Sequence, residues 1–376
     1  MGVRKIRSWP RLEARAWLAQ TSEDDPVLSS GKVRLYASGR SALHHVIHGL
    51  ELPADAVVMC PAFNCGVEVE AILRAGAQVR FYDVGRDLGA AVDALRGADA
   101  KTRAVLVTHY FGFASDVGSL SAACRERGIA LIEDCAHALY SRDGEGRWLG
   151  TTGDYAIFSM RKTVFLPNGG AARANGEHPL PPTGDRVFES SVLTSIVHAT
   201  LEGASEGSGV RARLASELLG LGRSGLRHVR RAPQAASPRR FYDTPIVDYG
   251  RDISRAGAFL ARRVDWRRVV ERRRQNYERV ARAIKGADLA FDRLPDGACP
   301  LSLPVLVDAR DEVAARMAER GIEVDLFGSV PHPLVDVSAF SGARRWAERV
   351  LGLPIHQGLS DEEIDVVARV FMESTS

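Results

Sequence analysis

The chain has 376 residues, 45% hydrophobic and 26% charged, an ordinary globular composition with room for two domains or one large core with an appendage. Its 50 basic and 47 acidic side chains leave a net charge of +3, which gives no electrostatic case for nucleic acid as the main partner. The five cysteines (Cys60, Cys65, Cys124, Cys135, Cys299) are widely spaced and lack a CxxC pair, so they read as reduced thiols and not as a disulfide frame or zinc site.

In chain order, Met1 to Pro10 is basic but leads into no apolar signal core. No later stretch approaches the ~20 apolar residues of a membrane span, so a cytoplasmic protein is expected. From 33 to 176, short apolar runs alternate with amphipathic ones. Val57 to Cys60, Val79 to Tyr82, Ala104 to Thr108 and Ala130 to Glu133 are strand candidates, while Gly66 to Ala75 and Val117 to Arg127 are helical. Strand, helix, strand at this spacing predicts an α/β fold, with a mostly parallel central sheet covered on both faces. Ligands sit beyond the C-terminal ends of such strands. Asp83, His109, Asp134 and Ser159 all fall at or just past those ends.

Residues 177–245 break the pattern with prolines and an arginine-rich run from Arg223 to Arg240, which reads as a solvated face or subunit contact. Helices are expected near Ser190 to Glu202 and Arg211 to Leu221. A long helix is then expected from Ile253 to about Lys285, a strand over Leu301 to Val307 and a helix over Arg310 to Arg320. Leu351 to Ile355 reads as a strand, and Asp361 to Phe371 as a last helix behind the capping signature Ser360 to Glu363. The expected division is a large domain, 1–245, carrying 177–245 as a divergent, partly helical insertion, and a smaller C-terminal α/β domain, 246–376.

Three pieces can carry chemistry. The turn Ala37-Ser38-Gly39-Arg40-Ser41 feeds an apolar helix and would present free backbone N–H groups to a phosphate, although many such turns are only N-caps. Asp134, in Glu133-Asp134-Cys135-Ala136-His137, reads either as an N-cap or as the acidic partner of a cationic ring nitrogen. His137 alone reads more often as structural, and without a second cluster a metal site is discounted. Ser159-Met160-Arg161-Lys162 ends another apolar run ahead of Asn168-Gly169-Gly170. Its lysine can form an imine and its serine can hold phosphate. The SxxK reading of acyl-serine enzymes ranks low without SDN and KTG elements. An imine lysine with an acid for a ring nitrogen suggests pyridoxal phosphate.

Taken in order, these pieces resemble the nucleotide-sugar aminotransferases of the DegT/StrS type, in the aspartate-aminotransferase fold group (fold type I) of pyridoxal-phosphate enzymes. The resemblance is strong over 35–176 and looser over 246–370. It runs through Ser38 to Leu43, Cys60-Pro61-Ala62-Phe63, Ala75-Gly76-Ala77, Phe81 to Val84, His109 to Gly112, Glu133 to His137, Gly150 to Asp154, Phe158 to Lys162 and Gly169-Gly170, then Leu353 to Ser360. It implies that Lys162 forms the covalent link to pyridoxal 5′-phosphate and later moves protons. Asp134 would pair with the ring nitrogen, and His137, where the family has glutamine, would lie near the ring hydroxyl. Ser159, Gly39 and the backbone of Arg40 and Ser41 would hold the phosphate. Phe63 lies in the segment that supplies ring-stacking groups, with Cys65 at the usual aromatic position. Asp83 and His109 would be structural supports.

The activity implied is transfer of an amino group from glutamate or glutamine to a nucleotide-linked keto-sugar, in polysaccharide or glycosylated-metabolite biosynthesis, by a homodimer. The alternatives are a non-catalytic relative and a sugar dehydratase, whose branch replaces the lysine that is present here as Lys162. Departures fall at the phosphate. Arg40 stands where threonine is usual, Pro167-Asn168 precedes the glycines, and Gly250 stands where an asparagine reaches the partner's phosphate, with Arg251 as its possible substitute.

Overall fold

The computed structural model describes residues 5–10, 25–29, 32–85, 88–89, 92–164, 166, 168–186 and 249–375. The helices expected near Ser190 to Glu202 and Arg211 to Leu221, and most of the 177–245 insertion, lie outside the described residues. In chain order the first part contains β1 (Val33–Tyr36), α1 (Gly39–Gly49), β2 (Val57–Pro61), α2 (Val67–Arg74), β3 (Gln78–Tyr82), β4 (Thr102–Thr108), α3 (Gly118–Glu126), β5 (Ala130–Asp134), β6 (Tyr155–Ser159), the single turn α4 (Met160–Thr163), β7 (Gly170–Ala174) and β8 (Asp185–Arg186). The second part contains β9 (Arg251–Asp252), α5 (Arg255–Ala261), α6 (Trp266–Ala283), β10 (Asp288–Leu289), β11 (Leu303–Leu306), α7 (Arg310–Glu319), α8 (Ser341–Arg349), β12 (Val350–Leu353) and α9 (Asp361–Thr375).

The large sheet runs β3-β2-β4-β5-β6-β7-β1-β9-β8. Its first five strands are parallel, as the alternation of strand and helix predicts. β7 then returns antiparallel against β6, and β1 antiparallel against β7. A smaller antiparallel sheet, β10-β11-β12, forms the C-terminal part. Among the described residues no helix is long and apolar enough to cross a membrane. All five cysteines are buried and unpaired.

The long helix expected from Ile253 is two helices. Ser254 caps α5, accepting from Gly257 N at 2.9 Å, and Asp265 caps α6, accepting from Arg268 N at 3.1 Å. Asp265 is a helix-start residue in the middle of the run, and its capping competes with an uninterrupted ladder. The cap at the last helix forms as expected: Glu363 N donates to Ser360 Oγ at 3.2 Å, and Ser360 N to Glu363 Oε2 at 2.9 Å.

Glu133 and Asp134 are neighbours on β5, so their side chains leave opposite faces of the sheet. Glu133 is fully buried and serves the fold. It accepts from His109 Nε2 at 2.9 Å, Gly150 N at 3.0 Å, Thr152 N at 2.8 Å and Gly153 N at 2.7 Å. The turn can approach so closely because it carries glycines. A Cβ on Gly150 would come within 2.7 Å of the Phe158 ring, and one on Gly153 within 2.8 Å of the Leu131 carbonyl oxygen. Burial alone would raise the Glu133 pKa, but the His109 hydrogen bond and the backbone donors outweigh it and hold it below the usual 4.5. Its stabilisation is therefore present above the ordinary carboxyl range and lost as pH falls through the depressed value. Glu133→Gln, which turns one acceptor into a donor facing N–H groups, is expected to cost about 2–3 kcal/mol in denaturant unfolding at pH 7. Unchanged stability would show that this carboxylate does not hold the turn.

Candidate active site

Four parallel strands end along one edge of the large sheet, and each delivers one of the residues singled out in the sequence. Asp83 follows β3, His109 follows β4, Asp134 ends β5 and Ser159 ends β6. Two of them are supports. Asp83 accepts from Ala343 N at 2.8 Å and Gly342 N at 3.0 Å, which ties the start of α8 to the sheet. His109 takes Ser115 N on Nδ1 at 3.0 Å and gives its Nε2 proton to Glu133. His109, Glu133 and Cys135 do place ligand atoms within 4.8 Å of one another, but both imidazole nitrogens and both carboxylate oxygens already have hydrogen-bond partners.

Lys162 lies in α4, directly after the strand end. Its Nζ is 5.6 Å from the centroid of the Phe327 ring, within cation–π reach. The turn that carries it is braced from behind by Arg273, which is fully buried. That guanidinium donates to the carbonyls of Thr163 (2.9 Å), Pro300 (3.0 Å) and Leu301 (2.8 Å), and through Nε to Gln357 Oε1 (2.8 Å). Burial lowers the Arg273 pKa to about 10, so it stays charged at neutral pH. Gln357 Nε2 adds a second donor to the Thr163 carbonyl at 3.1 Å.

Asp134 is 2% exposed, and its recorded hydrogen bond is from Ala136 N to Oδ1 at 2.8 Å. No helix starts behind Asp134, so this bond closes a turn and not an N-cap, and because it uses one oxygen the other is left for an acidic-partner role. Burial, then the neighbouring Glu68 carboxylate, push its pKa up to about 6 against the pull of the Lys162 charge. His137, also 2% exposed, has its ring 4.5 Å from Phe327 and 5.8 Å from Phe111. Burial and then the Lys162 charge hold its pKa well below 6.5, so the ring is neutral. Its Nδ1 accepts from Phe111 N at 3.4 Å, which leaves the ring proton on Nε2.

The Ser38 turn opens α1 and meets the end of β6. Ser38 Oγ accepts from Ser41 N at 3.1 Å and lies 3.0 Å from Ser41 Oγ. A Cβ on Gly39 would come within 3.1 Å of Ser159 Cβ, and one on Gly170 within 2.1 Å of the Ser38 carbonyl carbon. Bare backbone at Gly39 and Gly170 is what lets the first turn of α1, Ser159 and the Gly169-Gly170 turn converge. The segment at Gly250 and Arg251 reaches this corner within the same chain: β9 pairs with β1, and Ala37 N donates to the Arg251 carbonyl at 3.0 Å.

These surroundings fit pyridoxal phosphate. A buried carboxyl with no cation in hydrogen-bond contact among the described residues suits a ring N–H, a neutral imidazole with a donor nitrogen suits a ring oxygen, and serines beside the N-terminus of an 11-residue helix suit a phosphate. The expected ring-stacking role of Phe63 is corrected. Its ring is enclosed by Tyr110 and Phe327, each 5.2 Å away, and by Trp346, and a Cβ on Gly328 would press within 2.4 Å of it. It is core, and the ring beside Lys162 is Phe327. Sequence reasoning missed Phe327, Glu68 and Asp325. Asp325 is a second carboxyl that burial pushes up to about 6 against the pull of Lys162. Glu68 is buried and accepts from Cys65 Sγ at 3.2 and 3.3 Å. α2 opens Val67-Glu68-Val69-Glu70, and nothing local marks which of its two first-turn acids is the buried one.

A lysine and a buried carboxyl at adjacent parallel strand ends, beside the N-terminus of α1, accord with the α/β architecture of fold type I pyridoxal-phosphate enzymes. The sequence matches the DegT/DnrJ/EryC1/StrS aminotransferase family over residues 32–178 and 258–371, and the chain belongs to that family. It is 29% identical to a dTDP-4-dehydro-2,3,6-trideoxy-D-glucose 4-aminotransferase of Saccharopolyspora spinosa, over 90% of this chain and 83% of that protein. It is 25% identical to a UDP-N-acetyl-3-dehydro-alpha-D-glucosamine 3-aminotransferase of Acidithiobacillus ferrooxidans, over 89% of this chain and 82% of that protein. Among solved structures, the aminotransferase TlmJ of Streptoalloteichus hindustanus superposes with a TM-score of 0.65 at 26% identity, covering 97% of this chain and 92% of that one. The chain is thus a pyridoxal-phosphate-dependent aminotransferase.

Proposed function

We propose that the protein moves an amino group from glutamate or glutamine to a nucleotide-linked keto-sugar. The observation that carries the reading is the pairing of Lys162 with a buried Asp134 at neighbouring strand ends, in a chain similar along most of its length to enzymes named for dTDP- and UDP-linked sugars. When bound, pyridoxal phosphate supplies an electron sink for the carbon that gains or loses the amine. Lys162 Nζ is the covalent anchor and then the base that takes a proton from that carbon and returns it. Asp134 accepts the ring N–H and keeps that proton in place, which relieves the cost of its own burial. His137 Nε2–H donates to the ring hydroxyl. Ser159, Gly39 and the backbone of Arg40 and Ser41 hold the phosphate. Phe327 covers Lys162 and shields the reacting groups from water.

The same proposal divides the chain into a cofactor-binding part, 1–245, and a smaller part, 246–376, and makes it a cytoplasmic homodimer serving polysaccharide or glycosylated-metabolite synthesis. The test is mass spectrometry of products from a panel of nucleotide-linked keto-sugars incubated with glutamate or glutamine. A mass change of ketone to amine on at least one sugar is expected. Transfer to none of them would sink the substrate reading and leave the cofactor reading in place.

A further inference from the structure

The proposed chemistry uses the backbone of Arg40 but neither the Arg40 nor the Arg161 side chain, and both residues sit in the two turns that meet at the phosphate corner. Arg40 follows Gly39 in the first turn of α1, and Arg161 lies between Ser159 and Lys162 in sequence. The contact of Gly39 with Ser159 and with the Phe158 carbonyl brings those two turns together. Among the described residues neither guanidinium has a hydrogen bond or an ion pair.

Each arginine has the same electrostatic complaint. Surrounding protein lowers the pKa of Arg161, whose side chain solvent still reaches, and the Arg40 charge lowers it further. Burial lowers the pKa of Arg40 too, partly offset by Tyr249, Cys65 and Glu68. Glu68 eases Arg40 only through space, since its hydrogen bonds come from the Cys65 thiol. Two like charges that feel each other without a counterion repel, and an anion bound between them relieves that repulsion. A carboxylate satisfies one guanidinium fork. Two forks, two serine hydroxyls and the N-terminus of α1 together match a phosphoryl dianion better.

We propose that Arg40 and Arg161 form a two-guanidinium clamp for a phosphoryl group where α1 meets the end of β6. The phosphoryl group has two possible sources: the phosphate of the cofactor, which rests on the reading above, and the diphosphate of a nucleotide-linked substrate.

The test titrates full-length protein, stripped of cofactor, with pyridoxal phosphate and with pyridoxal, which has no phosphate. Cofactor-loaded protein is titrated with uridine and thymidine diphosphates. In Arg40→Gln and Arg161→Gln, affinity for at least one phosphoryl probe is expected to fall about tenfold or more, with pyridoxal affinity unchanged and Arg161→Lys partly restoring it. A loss confined to pyridoxal phosphate assigns the clamp to the cofactor, and a loss confined to the diphosphates assigns it to the substrate. Wild-type affinity for every probe, or an equal loss for pyridoxal and pyridoxal phosphate, overturns the clamp, the latter because the arginines would then support only the fold. If wild-type protein takes up no pyridoxal phosphate, the cofactor reading fails separately and the diphosphate titration, run on the cofactor-free protein, alone decides the clamp.

Discussion

Lys162→Ala is expected to lower turnover by about 10⁴-fold or more, because it removes the covalent anchor and the proton carrier together. Its second signature is chemical. Borohydride treatment of cofactor-loaded wild-type protein should leave the cofactor mass on the peptide containing Lys162, and the variant should carry none. The fold should tolerate the change, since the contact it loses is the cation–π approach to Phe327, worth about 0.5–1 kcal/mol at a partly exposed site. Arg273 and Gln357 still hold the Thr163 carbonyl and with it the turn. Lys162→Arg separates charge from chemistry. It keeps a cation near Asp134, but a guanidinium stays protonated at working pH, so this variant should be as inactive as the alanine. An alanine variant that kept a tenth of wild-type turnover, or that still trapped cofactor on the same peptide, would remove Lys162 from the centre of the mechanism.

Much of this site was legible in the sequence because its residues follow strands with strong local patterns. Apolar runs ending at Thr108, Asp134 and Ser159 mark parallel strands, and parallel strands place their C-terminal ends on one edge whatever the details of packing. The capping pair at Ser360 and Glu363 is likewise a local interaction. What escaped was set by contacts between residues far apart in sequence. Phe327 reaches Lys162 only because the chain around it packs against the core that contains Phe63, Tyr110 and Phe111. The same packing turned Phe63 from an expected cofactor contact into core. Ile6 is bound to the turn at Gly321–Glu323, donating to the Gly321 carbonyl at 2.9 Å and accepting from Glu323 N at 2.8 Å, a pairing that no local pattern announces. The split of the long helix at Asp265 was visible as a capping residue, but the periodic run around it outweighed that signal.

Asp134→Asn should move stability and activity in opposite directions. In the absence of cofactor, the Asp134 carboxyl has a pKa of about 6 against an ordinary 3.8, so the folded chain binds its proton more tightly than the unfolded chain does. Its favourable contribution is therefore complete below about pH 4 and lost as pH rises through about 6. At pH 7 the ionised, buried carboxylate opposes folding by roughly 3 kcal/mol as an upper bound, at about 1.4 kcal/mol per pKa unit. An asparagine of nearly the same shape does not ionise, so the cofactor-free variant should be more stable than wild type at pH 7, and the difference should narrow as pH falls and close below about pH 4. Asp325 is raised in the same way, but it is present in both proteins, so the comparison isolates Asp134. Cofactor should reverse the order, because a ring N–H gives the carboxylate the partner it lacks and the neutral amide cannot hold that proton. Turnover of the variant should fall by about 10²–10³-fold, the range for removing one electrostatic contact to developing charge. Unfolding of both proteins at pH 5 and pH 7, with and without pyridoxal phosphate, separates these effects. A variant destabilised without cofactor at pH 7 would mean that Asp134 belongs to the fold, and equal turnover would mean that it does not hold the ring. The expected inversion is the signature of a carboxylate kept at a cost to the empty protein because the bound cofactor needs it.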